Sequence, residues 1–259
     1  MKKILALILA LTVLVCLAAC NKDQTDDTNS GNNDNNVEVE FVYNGFEYQV
    51  NSTGTYEIIG YRGTDKEITV PSSIEGRKVT GIGTDAFKAL NTITSVTIPD
   101  SITYIADFAF AECDYIAKIT LPDSITTLGI GAFYSCSALE EITLSAALTE
   151  IGDLAFWDCD KLASITLPEG LKTIGAGAFF DADILNGVVL PASIESVGKT
   201  AFFYCDALTT VTVKAEKATF GEWALGNRDN VTVKAYTGST AEAFAKANGM
   251  AFEAIVDAE

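Results

Sequence analysis

The chain has 259 residues, of which 48% are apolar, and a formal net charge of −18 without a single His. A surface this acidic repels phosphate backbones and anionic bilayers, which argues against nucleic acid as a partner. Without imidazole there is no Ser-His-Asp or Cys-His catalysis and no His metal ligation.

Lys2-Lys3 forms a basic start, and Ile4 to Val15 is an apolar run too short for a stable membrane span. Leu17-Ala18-Ala19-Cys20 follows and resembles the lipobox of bacterial lipoproteins. The resemblance implies a signal peptide over 1–19 and a Cys20 that becomes the acylated N-terminus, anchoring the chain to a membrane. Loss of Lys2 and Lys3 takes the net charge from −18 to −20. Residues 20–36 are rich in Asn and Asp, without aromatic or aliphatic side chains after Cys20. They cannot bury enough surface to order and read as a tether.

Residues 37–65 read as an N-terminal β cap. Val37 to Val42 alternates, Asn44-Gly45 suits a type I′ turn, and Phe46 to Val50 alternates back. From 66 to 233 the chain repeats. Phe87, Phe110, Phe133, Phe156, Phe179 and Phe202 recur every 23 residues, each preceded by Ala. Pro99, Pro122, Pro168 and Pro191 share the period, with Ser145 in the gap. Such a period marks a solenoid, whose units bury their apolar faces by stacking.

Within a unit, Leu139-Glu-Glu-Ile-Thr-Leu144 shows the L-x-x-L-x-L pattern of a half-buried strand, and Pro ends it. A second apolar pair follows (Ile125/Leu128, Leu171/Ile174), then Gly129, Gly152, Gly175 and Gly198, read as tight turns. Ala-Phe then makes a short helical turn with Phe in the core. From 234 to 259 the chain reads as a C-terminal cap: Ser239 with Glu242 forms a capping box, and Asn248-Gly249 ends a helix over Thr240 to Ala247.

Four kinds of column could carry chemistry. Cys113, Cys136, Cys159 and Cys205 share one position, with Ala182 in the gap. Stacked strands lie about 4.8 Å apart, long for a disulfide. These thiols read as a buried apolar ladder, with a bridge among Cys113, Cys136 and Cys159 as the alternative. A line of thiols does not converge on a metal. Asn91, Asp114, Asp160, Asp183 and Asp206 read as turn caps. Thr97, Thr120, Thr143, Thr166, Thr212 and Thr232 form a strand-face column beside a mixed one that includes Lys118, Glu141 and Asn230. Eight such strands make a sheet roughly 34 Å long. Tyr134, Trp157, Phe180 and Phe203 follow the core Phe and form either an exposed convex ridge or an outer layer of core. No nucleophile elbow, phosphate loop, paired-carboxylate site or calcium loop occurs, so neither an enzyme nor a cofactor is expected.

The unit IP-x-x-I-x-x-I-G-x-x-AF-x-x-C-x-x-L, from about Ile68 to Val233, resembles the BspA-type (treponemal type) leucine-rich repeat of bacterial surface proteins. The resemblance implies a β-rich right-handed solenoid with a parallel sheet on one face and short helical turns on the other. It also implies a cell-surface adhesion module that takes a protein or glycan on the sheet face, through Thr97, Thr120, Thr143, Thr166 and Thr212 with Lys118 and Glu141. The alternative is a structural envelope lipoprotein that scaffolds partners through the ridge.

Overall fold

The computed structural model describes residues 41–227 and 229–256. The leader, Cys20 and the tether lie outside them. The described chain is a β-solenoid of about nine turns with one short helix. Each full coil has three sides, and hydrogen bonds run between coils on all three.

The first side is the strand legible in the sequence. Glu67–Thr69 pairs in parallel with Ser95–Thr97, Lys118–Thr120 with Glu141–Thr143, and Gly187–Leu190 with Thr210–Val213, then Thr232–Ala235 and Ala251–Ala254. The expected continuous sheet is therefore three separate sheets, and Ser164 to Leu167 belongs to none of them. The register also corrects one column. Thr232 pairs with Thr210 and Lys234 with Thr212, so Lys234, not Thr232, continues the Thr column.

The second side is a strand that the sequence pattern concealed. Tyr104–Ile105, Thr127–Leu128, Glu150–Ile151, Thr173–Ile174, Ser196–Val197 and Thr219–Phe220 pair in parallel within one eleven-stranded sheet. Two residues per coil are too few to display alternation, so this pair read only as core. The glycines that follow have a different task from the expected tight turn. A Cβ on Gly175 or Gly198 would stand 2.4 Å from a backbone nitrogen of the preceding coil, so Gly is required by close approach between coils.

The third side carries the Ala-Phe turns. They are closed by local bonds, such as Ala111 N–H to Phe108 O at 3.0 Å and Tyr134 N–H to Gly131 O at 2.9 Å, and never lengthen into a helix. Phe87, Phe110, Phe133 and Phe179 donate their N–H to the carbonyls of Ala109, Ala132, Ala155 and Ala201 in the next coil at 2.8 Å. The peptide that accepts from one coil donates to the next, so peptide dipoles align along the stack as they do in a helix. Left-handed residues flanking each Phe, such as Phe108, Glu112, Leu154 and Asp158, hold the turn in this form. Inside, Phe87, Phe110, Phe133, Phe156, Phe179 and Phe202 are buried and stack face to face, with ring centroids 5.0 to 5.5 Å apart.

Both ends of the second ladder are closed. Phe41–Tyr43 and Phe46–Val50 form a hairpin through Asn44 and Gly45, both at positive φ. Tyr56–Tyr61 links that hairpin to the solenoid by pairing in parallel with Arg77–Ile82. Tyr104 OH donates to Glu57 Oε1 at 2.8 Å across this junction; burial first, then that bond, pushes the phenol up to about 12. Pro71 to Phe87 is five residues longer than the equivalent Pro99 to Phe110, and this stretch holds a second small hairpin, Ser73–Ile74 with Arg77–Ile82. At the other end, helix Thr240–Ala247 sets Phe244 against Phe220 at 5.3 Å. Ser239 Oγ accepts from Glu242 N–H, as in a capping box, but the Glu242 carboxylate accepts from Gly238 N–H at 2.5 Å, one residue before the N-cap, because Ser239 N–H is bonded to Tyr236 O.

Candidate functional site: the threonine face

Side chains on the first strand alternate between core and water. Ile119, Ile142 and Val211 are buried, while Thr69, Thr97, Thr120, Thr143 and Thr166 are exposed and Thr212 is half-buried. The face is close to neutral despite the acidity of the chain. Lys118 pairs with Glu141 at 2.8 Å, Lys214 with Glu169 at 3.5 Å and Lys234 with Glu253 at 2.9 Å. The hydrogen bond to Glu141 is the main reason the Lys118 ammonium is held above its ordinary pKa. At Gly187 and Val189 the columns lose their polar side chains, and Val189 stands 47% exposed.

The surface opens around Ser164 to Leu167, the coil outside the strand pairing. A groove of about 480 Å³ lies between Glu141–Leu144 and Ser164–Thr166. A second of about 530 Å³ is lined by Ile165, Thr166, Gly187, Val189, Thr212 and Lys214, among others. Thr143 and Thr166 are thus brought to one place, whereas Thr97 lies in a separate sheet. The sequence marks this place only through Gly187 and Val189, where the polar columns are interrupted.

A family model for the BspA type leucine rich repeat region matches residues 66–186 and 149–247, with six copies of the repeat. The chain belongs to the BspA-type leucine-rich repeat family. Among solved structures it is similar to a leucine-rich repeat protein of T. pallidum, 25% identical with a TM-score of 0.51, covering 83% of this chain and 98% of that one. It also matches a leucine rich cell surface protein from Faecalibacterium prausnitzii, 16% identical with a TM-score of 0.41, covering 67% of this chain and 94% of that one. No curated protein matches.

The other columns of this BspA-type chain are absorbed by its folding. The exposed aromatic ridge does not exist as such. Trp157 is 6% exposed and Phe180 is fully buried, and their rings stack at 3.9 Å and 8°. Tyr134 and Phe203 are half-buried at either end of that stack. The physical reason is Gly177: without a Cβ it leaves room for the Trp157 ring, whose atoms come within 3.2 Å of where that Cβ would be.

The thiols are buried and unbridged. Cys113, Cys136, Cys159 and Cys205 donate S–H to the carbonyls of Phe87, Phe110, Phe133 and Phe179 at 3.0 to 3.3 Å. Burial pushes their pKa up, to about 12 for Cys113 and Cys205, which keeps the proton that makes each bond. Ala182 brings no such donor to Phe156. At the start of the Asn/Asp column, side chains bond between coils rather than within a turn. Asn91 Oδ1 accepts from Asp114 N–H at 2.9 Å, and Ser137 Oγ donates to Asp114 Oδ1 at 2.8 Å. Among the described residues no cluster of three or more acidic or thiol groups could hold a metal ion.

Proposed function

We propose that this chain is a lipid-anchored bacterial cell-surface module that captures a protein or glycan ligand on its threonine face. The observation that carries this reading is the Thr face itself. The Phe, Cys and outer aromatic columns have internal bonding or packing partners, whereas Thr97, Thr120, Thr143 and Thr166 point to water on a near-neutral strip of an acidic chain. Hydroxyls and paired charges suit a polar partner at modest desolvation cost. Membership of a repeat family used for interaction surfaces agrees with a binding role. The leader and Cys20 support placement outside the cytoplasm, held by acyl chains.

Two experiments test the two halves. The full chain, screened against arrays of extracellular proteins and glycans, is expected to retain specific ligands that Thr143→Lys releases at least tenfold while the fold is unchanged. Undiminished binding by such a folded variant would remove the face from the account. Radiolabelled palmitate is expected to enter the wild-type chain and not Cys20→Ser; equal labelling of both would remove the anchor.

A further inference from the structure

The last strand of the Thr ladder, Ala251–Ala254, has a neighbour on one side only. It pairs in parallel with Thr232–Ala235, Ala254 beside Ala235. Ile255 N–H donates to Ala235 O at 3.0 Å, so the backbone groups of Ile255 face that neighbour. The facing of N–H and C=O alternates along a paired strand, so those of Ala251 and Glu253 face it too. The N–H and C=O of Phe252 and Ala254 therefore face away, where the sheet has no further strand among the described residues. Ala251, Glu253 and Ala254 are exposed and Phe252 is half-buried.

Free edges are ordinarily blunted by Pro, by bulges or by charge. This edge is not. No Pro occurs from Ala251 to Val256, and the pairing with Thr232–Ala235 runs without a register shift, whereas both pairings of Tyr56–Tyr61 at the opposite end are shifted. Its one charge, Glu253, is in an ion pair with Lys234 at 2.9 Å. Ile255 and the 92% exposed Val256 prolong it as apolar chain. Outward N–H and C=O groups call for an extended strand as partner. Charge and symmetry select which strand. Turned antiparallel about a two-fold axis, Ala251–Ala254 is its own complement. Phe252 falls opposite Phe252 of a second copy, and each N–H reaches the other's carbonyl. Glu253 falls opposite Ala251, so on a chain of net charge −18 no carboxylate faces its like. The neighbouring register that keeps core and water faces aligned sets Glu253 against Glu253, which repulsion disfavours.

We propose that a second copy of this chain adds antiparallel to Ala251–Ala254, Phe252 opposite Phe252, and joins two four-stranded sheets into one across a two-fold axis. In that register the outward faces of both sheets lie on one side, so a ligand with repeated determinants meets two Thr faces instead of one. The pairing itself does not depend on the Thr face being the binding surface.

The test is sedimentation velocity of the full chain from about 10 to about 500 µM, a range suited to the weak association of a small interface. The wild type should pass from one chain to two across it. Ala254→Pro removes an outward N–H and leaves the Ile255 bond to Ala235 in place, so it should keep the fold by circular dichroism and weaken association at least tenfold. Ala251→Glu, set opposite Glu253 of the second copy, should weaken it at least threefold, and Ala251→Lys should not. Hydrogen exchange of the wild type gives a reading free of substitutions: the amides of Phe252 and Ala254 should slow at least threefold from the lowest to the highest concentration, while that of Ile255 stays constant. A wild type that remains a single chain at the highest concentration would overturn the proposal. So would association undiminished in folded Ala254→Pro, as expected of contact through the apolar leader, or equal weakening by Ala251→Glu and Ala251→Lys. If Ala254→Pro does not fold, the two Ala251 variants and the exchange of Phe252 and Ala254 decide the outcome.

Discussion

The two strand ladders of this solenoid are built from the same coils and behave oppositely. The second ladder is continuous from the N-terminal hairpin to Thr219–Phe220 and closed at both ends, by that hairpin and by helix Thr240–Ala247. The Thr ladder is broken into three sheets, and its last strand, Ala251–Ala254, pairs on one side only. The difference teaches where the fold is specified. Close approach at the Gly column, the Ala-Phe turn and the Phe stack fix the coil spacing on two sides, and the third side is then free to diverge.

If that division is right, disturbing the second and third sides should cost far more than disturbing the Thr face. The largest effect belongs to the Phe stack. Phe156→Ala should destabilise the chain by about 3 to 5 kcal/mol in urea unfolding, because it removes a buried ring and leaves a cavity. Thr166→Ala, in the same coil, should cost under about 0.5 kcal/mol. Comparable losses from the two would erase the distinction between the sides.

Next is the Gly column. Gly175→Ala should cost about 1 to 3 kcal/mol, since its Cβ would press on the Asp153 backbone nitrogen at 2.4 Å and only movement of the coils relieves it. A neutral result in thermal unfolding would show that the second ladder is not spaced by that contact.

A smaller effect, of opposite sign, is expected at the missing thiol. Ala182→Cys should stabilise the chain by about 0.5 to 1 kcal/mol by giving Phe156 O the donor its neighbours have. It should also slow exchange at Ile165 to Leu167. Destabilisation would mean that the gap is needed for space rather than merely unfilled.

The smallest effect concerns pH. Asp181 is pushed up to about 6, first by desolvation and then by Asp183, Asp158, Asp160 and Asp206. A carboxyl with a raised folded-state pKa binds its proton more tightly folded than unfolded. Its contribution is full below the ordinary carboxylate range, about 3.9, and is lost as pH rises through about 6. With partial solvent screening this amounts to about 1 kcal/mol or less. The thermal midpoint should therefore rise from pH 7.5 to pH 5. Asp181→Asn should raise the midpoint at pH 7.5 and flatten the difference. An unchanged slope would assign it to the net charge of the whole chain.

The extent to which this molecule was legible in its sequence follows from what each column does. The Phe, Gly and Cys columns repeat because identical coils impose identical contacts, so the solenoid, its hairpin and its capping box could be read from spacing. The second strand could not, because Thr127–Leu128 and its equivalents are too short to show a period. Burial of Trp157 and Phe180 was equally hidden, since it depends on the missing Cβ of Gly177 one coil away. The thiol-to-carbonyl bonds and the Asn91-to-Asp114 bond join residues 26 and 23 positions apart, which column reading can align but cannot orient. Of the Thr face the sequence revealed the hydroxyls but not the loss of strand pairing at Ser164 to Leu167.

The most direct test of the division between the two faces is the hydrogen-exchange footprint of an array-identified ligand on the intact protein. The account predicts slowed exchange along Lys118–Thr120, Glu141–Thr143 and Ser164 to Leu167, with none along Tyr104–Ile105, Thr127–Leu128 and Thr173–Ile174. A footprint on the second ladder, with the Thr face unprotected, would contradict it.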